Sequence, residues 1–96
     1  MAKTVFFNSY KLKKNASVPD FLQAVEKLVE HTSKEKGFVS FNLYVDGETW
    51  CDMSTWETMD DAKGFANRGG PKELAEKFYS FLNFNSCRTH FFETVQ

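Results

Sequence analysis

A chain of 96 residues suits one domain spanning 1–96 and leaves no room for two. Its net charge of −1, with acids and bases interspersed and no basic block, argues against a nucleic-acid partner, and no apolar run approaches the ~20 residues that cross a membrane. Eleven Phe, three Tyr and two Trp are a heavy aromatic load for a domain that buries only about 60–65% of its unfolded surface.

Each aromatic encloses roughly 150–250 Å² when buried, more than one small core needs. The surplus either meets a partner subunit or lines a ligand cavity. Val5-Phe6-Phe7 is cut short by Asn8, so the start of the chain lacks a signal-peptide core, and a cytoplasmic location is the expectation. Cys51 and Cys87 form no CxxC pair and read as small buried apolar residues.

Thr4 to Lys13 is rich in β-branched and aromatic residues and reads as a first strand, ending at Asn15-Ala16-Ser17. Ser17 then offers a cap, Pro19 suits the first helical turn, and Asp20 suits the positive helix end. Phe21, Val25, Leu28, Val29 and Thr32 recur at helical spacing, and Gly37 is the expected stop. Phe38 to Val45 alternates as a second strand. Asp46-Gly47 signals a hairpin, and a third strand runs from about Glu48 to Glu57. Thr58-Met59-Asp60-Asp61 resembles a capping box and opens a second helical region around Ala62, Phe65 and Ala66. Asn67 to Pro71 breaks it. Pro71 restarts a helix burying Leu74, Phe78, Phe81 and Leu82, Asn83 to Ser86 turns, and Cys87 to Val95 is the last strand.

The order βαββαβ defines an α+β, ferredoxin-like unit: an antiparallel sheet of spatial order 4-1-3-2 with its helices on one face. Period-two alternation divides the sheet residues between two faces. The apolar set Val39, Phe41, Leu43 and Val45 is assigned to the helices, as are Val5, Phe7, Ser9, Cys51, Met53 and Thr55. The open face then receives Phe6, Asn8, Tyr10, Asn42, Tyr44, Trp50, Asp52, Ser54 and Trp56, with Arg88, His90 and Phe92 from the last strand. Aromatics interleaved with a few convergent polar groups describe a small-molecule pocket, or a wet interface between two copies of the chain.

Within that face Asp52 is the one acid, and desolvation would make it a base. His90 titrates near neutrality and is a second candidate base. Asn8 and Asn42 offer amide donors to an oxyanion, while Trp50, Trp56, Tyr10 and Tyr44 offer surfaces to a flat ligand. His31 and His90 have no metal-ligand spacing, and no glycine-rich phosphate loop or GxSxG elbow occurs.

The run Trp50-Cys51-Asp52-Met53-Ser54-Thr55-Trp56-Glu57-Thr58-Met59-Asp60-Asp61-Ala62, with the Gly37-Phe38 step into the second strand, resembles the antibiotic biosynthesis monooxygenase family of the dimeric α/β-barrel superfamily. The resemblance implies a homodimer with sheets packed face to face, and a cofactor-free oxygenase acting on a small planar aromatic molecule. It places Asn8 where haem-degrading members hold an oxygen species, and Trp56 at the third-strand Trp. Phe65 stands where many members carry a His and is taken as a ligand contact. Ser54 stands where Glu is common, and Leu74-Ala75-Glu76 offers no His near the haem-ligand position, which points away from haem chemistry. The alternative is a homodimer without activity, binding a small hydrophobic ligand or serving a structural role.

Overall fold

The structure, a computed structural model, describes residues 2–96. Its elements are β1 (Thr4–Leu12), α1 (Val18–Thr32), β2 (Phe38–Asp46), β3 (Thr49–Trp56), α2 (Met59–Arg68), α3 (Lys72–Tyr79) and β4 (Leu82–Glu93). The strands form one antiparallel sheet of order β2-β3-β1-β4, the ferredoxin-like arrangement expected.

Local chemistry sets the helix ends. Ser17 accepts from the Asp20 N–H at 3.3 Å, and Thr58 accepts from the Asp61 N–H at 3.0 Å, each satisfying an orphan donor of the first turn. Gly69 closes α2 in the left-handed region at φ 74°, and Pro71 stands at the N-cap of α3. Helix α1 ends at Thr32, earlier than Gly37: the Lys34 and Glu35 N–H groups bond to the carbonyls three residues back, His31 and Thr32, at 3.1 and 3.0 Å, so the chain tightens into turns there.

The helices cover one face of the sheet. Tyr10 packs edge-on against Phe21 of α1 and Phe78 of α3, at 6.2 and 5.8 Å between ring centroids. Trp56 stacks on Phe65 of α2 at 5.0 Å. Phe21, Val25, Phe78, Phe81 and Leu82 complete the core beneath α1 and α3.

These contacts reverse the face assignment for β1 and β3. Phe6, Asn8, Tyr10, Trp50, Asp52, Ser54 and Trp56 lie on the helix side; Val5, Phe7, Ser9, Cys51, Met53 and Thr55 lie on the open side. For β2 and β4 the assignment holds: Asn42 and Tyr44 face away from the helices opposite Met53 and Cys51, and Arg88, His90 and Phe92 share that side. Directly paired residues share a face, and the hairpin pairs Asp46 with Thr49, Leu43 with Asp52 and Phe41 with Ser54. Once Phe41 and Leu43 face the helices, Asp52 and Ser54 must do so too. Val39 and Val45 remain exposed, and a bulge after Phe38 turns that ring edge-on to Trp56 at 5.7 Å.

Strand β4 also differs. It begins at Leu82, and the turn expected at 83–86 sits inside it as a wide bulge. Leu82 and Asn83 pair with Leu12 and Lys11, pairing resumes at Ser9 with Arg88, and residues 84–87 stand opposite Tyr10 alone. Ser86 holds the bulge: its hydroxyl accepts from the Lys11 N–H at 2.8 Å and donates to the Asn83 carbonyl at 2.6 Å. Such bulges re-aim side chains beside ligand sites.

Candidate active site

Between the helix side of the sheet and the three helices lies a cavity of about 190 Å³. Phe6, Asn8, Tyr10, Asp52, Ser54 and Thr89 form its sheet wall, and Val25, Leu28, Val29 and Thr32 of α1 face them. Phe65 and Ala66 of α2, and Ala75, Phe78 and Tyr79 of α3, close the sides; the β4 bulge adds Phe84 and Cys87.

Asp52 lies at the centre of a hydrogen-bond chain. The Tyr10 hydroxyl donates to Oδ2 of Asp52 at 2.7 Å, and Nδ2 of Asn8 donates to Oδ1 at 3.1 Å. The Thr89 hydroxyl in turn donates to Oδ1 of Asn8 at 2.8 Å, which fixes the amide orientation. The register explains the convergence, since Asn8 pairs with Asp52 across β1 and β3 and with Thr89 across β1 and β4. Asp52 is only 7% exposed, and neither ion pair found among the described residues involves it.

Burial pushes the Asp52 carboxyl above its usual pKa, while the bonds from Tyr10 and Asn8 pull it partly back. Tyr10 is raised by its own burial and by the adjacent carboxylate, so its hydroxyl remains a donor throughout the ordinary pH range. The Cys87 thiol is pushed up by burial, against the lowering effect of Arg88 and with a further rise from Asp52. A thiol held protonated is a poor nucleophile.

The structure thus brings Asp52, Asn8, Tyr10 and Phe65 to one cavity. His90, Asn42 and Tyr44 lie across the sheet from it; His90 stacks on Phe92 at 5.2 Å and lies 5.9 Å from the Phe7 ring. Trp56 is fully buried behind Phe65, donating from Nε1 to the Ser54 hydroxyl at 2.8 Å. Trp50 packs on Phe21 at 5.2 Å in the core wall. Neither Trp lines the cavity; among the aromatic rings that do, Phe6 and Phe65 meet edge-on at 6.5 Å. Sequence reasoning missed Thr89, Tyr79, Phe84 and Cys87 as lining residues. Counting outward from the hairpin would have placed Asp52 on the helix side, but no local pattern announces the bulge that delivers Phe84.

The model of the family described as antibiotic biosynthesis monooxygenase matches residues 8–77. The chain belongs to that family. No curated protein matches it in sequence. Among solved structures it is similar to SnoaB, a cofactor-independent oxygenase from Streptomyces nogalater, with 13% identity, TM-score 0.84, and coverage of 100% of this chain and 96% of that one. A structure described as an antibiotic biosynthesis monooxygenase gives 14% identity and TM-score 0.76 over 97% of this chain and 99% of that one. A dimeric protein of unknown function and ferredoxin-like fold from Bacteroides fragilis gives 17% identity and TM-score 0.67 over 96% of both chains. At these identities the structural likeness establishes the fold of this monooxygenase-family chain. No helix among its described residues is long and apolar enough to cross a membrane, and no three potential metal ligands gather among them.

Proposed function

We propose that this family member is a cofactor-independent monooxygenase acting on a small planar hydroxyaromatic molecule bound between the sheet and the helices. The observation that carries the reading is Asp52: a buried carboxylate with two neutral donors and no cation, in an otherwise largely apolar cavity. Burial that raises its pKa brings it toward the range in which a general base works best.

The substrate supplies the reducing power. Its hydroxyl proton passes to Asp52, and the ring carbon beside the resulting oxyanion forms a bond to dioxygen. The peroxide anion so formed takes up a proton. Loss of the hydrogen on that same ring carbon as a proton then lets the C–H electron pair form a new carbonyl while the O–O bond breaks, and the departing hydroxide leaves with that proton as water. A quinol consumed this way gives one hydroxyquinone and one water per dioxygen. Nδ2 of Asn8 has a second hydrogen beyond the one given to Asp52, and that donor is suited to the developing oxyanion. Phe6 and Phe65 hold the ring.

A homodimer is part of the proposal. The open face carries Phe7, Tyr44, Met53, His90 and Phe92, with Tyr44 and Phe92 about half exposed. An apolar surface of this kind marks an interaction site, and the Bacteroides fragilis protein of the same fold is described as dimeric.

The test is oxygen uptake with a quinol panel and labelled dioxygen. One labelled atom is expected in the product, with Asp52→Ala lowering kcat by roughly 10²–10⁴-fold, the usual contribution of a general base. Unchanged turnover in that variant would remove Asp52 as the base. The second reading, a ligand-binding dimer without activity, draws on Phe65, whose position carries a hydrocarbon ring packed on Trp56 rather than a titratable group. Saturable quinol binding with no oxygen uptake by any panel member would establish it.

A further inference from the structure

We infer that the cavity selects an uncharged hydroxyaromatic of a single ring, whose hydroxyl donates to Asp52, and excludes the same ring once it bears a carboxylate. The choice of ligand class rests on the oxygenase reading; the charge and size limits rest on the cavity itself.

Size comes first. The volume of about 190 Å³ is close to the ~150 Å³ of an apolar cavity that accommodates benzene. It admits one substituted ring in full. Larger ring systems must extend past Tyr79 and Phe84, the exposed aromatic residues of the lining, whose rings stack at 6.0 Å.

Charge is the sharper limit. Among the described residues no Lys, Arg or His lines the cavity. Cations on the flanking elements are engaged elsewhere. Arg68 pairs with Glu35 at 2.6 Å, Arg88 donates to the Cys87 carbonyl at 2.8 Å, and Lys77 lies over the Phe81 ring at 5.3 Å. A ligand carboxylate would lose its hydration with no cation to replace it, beside a buried acid that repels it. A neutral hydroxyl meets the opposite situation. Each Asp52 oxygen already accepts one donor, and a carboxylate has about four acceptor sites, so room remains for one more. The Thr32 hydroxyl is committed to the Leu28 carbonyl and the Ser54 hydroxyl accepts from Trp56, which leaves Asp52 as the strong acceptor of the cavity.

Anaerobic calorimetric titration of the full chain near neutral pH separates binding from turnover. The probes are hydroquinone, 2,5-dihydroxybenzoate and 1,4-dimethoxybenzene: a neutral diol, the same diol with a carboxylate, and a ring without donors. Hydroquinone is expected to saturate and to bind about tenfold or more tighter than either, a difference of about 1.4 kcal/mol. Carboxylate binding as tight as the diol's, or no saturable diol binding, would overturn the inference. Leu28→Lys adds a cation to the half-buried α1 wall and is expected to narrow the diol-to-carboxylate ratio by about tenfold; an unchanged ratio in a folded variant would also overturn it. Aerobic oxygen uptake is read separately. Diol-selective binding without oxygen consumption leaves the selectivity standing and removes the oxygenase. Oxygen consumption with no discrimination between diol and acid does the reverse.

Discussion

Asn8 and Asp52 are direct partners across β1 and β3, and their side chains meet at 3.1 Å on the helix side of the sheet. A buried carboxylate held by two neutral donors is stabilised less than one held by a cation, and its burial wins: the Asp52 pKa lies above the ordinary value of 3.8. A raised folded-state pKa in an acid gives stability that is fully present below the unfolded pKa and is lost as pH rises through the folded one. Asp52→Asn keeps the shape and removes the titration. The stability of wild type relative to this variant should be flat below about pH 3.8 and fall as pH rises, losing about 1.4 kcal/mol for each pH unit that separates the unfolded pKa from the folded one. Thermal melts of both proteins across the acidic to neutral range measure it. A difference independent of pH would mean that Asp52 titrates normally.

Tyr10 is the second determinant of that carboxyl. Its hydroxyl bond stabilises the ionised form and so lowers the Asp52 pKa against the effect of burial. Tyr10→Phe removes one oxygen from a side chain only 2% exposed and leaves the ring contacts with Phe21 and Phe78 in place. The expected cost is about 1–3 kcal/mol, the range for leaving a buried charged acceptor short of a donor. The acidic limb of the kcat/KM profile, which reports the base of the free enzyme, should move to higher pH. A limb that stays where it is would mean that Tyr10 does not tune Asp52.

The element order was legible because each boundary has a local cause: Ser17, Thr58, Gly69 and Pro71 act through caps and backbone geometry that nearby residues set. The face of β3 was not, because apolar character misleads where a cavity lies inside. Cys51, Met53 and Thr55 look like core, whereas the helix side holds Asp52 and Ser54 with their partners Tyr10, Asn8 and Trp56. Both sheet faces are rich in aromatics, so hydrophobicity alone cannot rank them; register can. The β4 bulge is a third case. Asn83 to Ser86 does turn, but non-local pairing of Lys11 with Asn83 and with the Ser86 hydroxyl embeds the turn in a strand. Cys51 and Cys87, expected as small buried apolar residues, are free thiols and only half-buried.

The open face yields an oligomerisation prediction. Phe92 is 48% exposed in the single chain and touches Phe7 at 5.7 Å and His90 at 5.2 Å. Phe92→Lys should be tolerated by the monomer fold, because its side chain is half in solvent. In a face-to-face dimer it would bury an unpaired charge, at a cost of several kcal/mol. Sedimentation at micromolar concentration should find wild type as a dimer and the variant as a monomer with an unchanged far-ultraviolet spectrum. A monomeric wild type would leave the aromatic open face without its proposed partner.

Trp56 separates a structural role from a ligand-binding one. Its ring is fully buried between Phe38 and Phe65, and its N–H is satisfied by Ser54. Trp56→Ala would open a large void and strand the Ser54 hydroxyl. Substitutions of this kind cost about 3–5 kcal/mol, a substantial part of the roughly 5–15 kcal/mol that holds a typical domain together. Phe65→Leu, at the cavity surface, deletes the flat ring offered to the ligand while keeping an apolar contact to Trp56. Chemical denaturation should therefore rank Trp56→Ala as much the more destabilised. Quinol titration should find the larger loss of affinity relative to lost stability in Phe65→Leu. The opposite ranking would return Trp56 to the ligand and make Phe65 a packing residue.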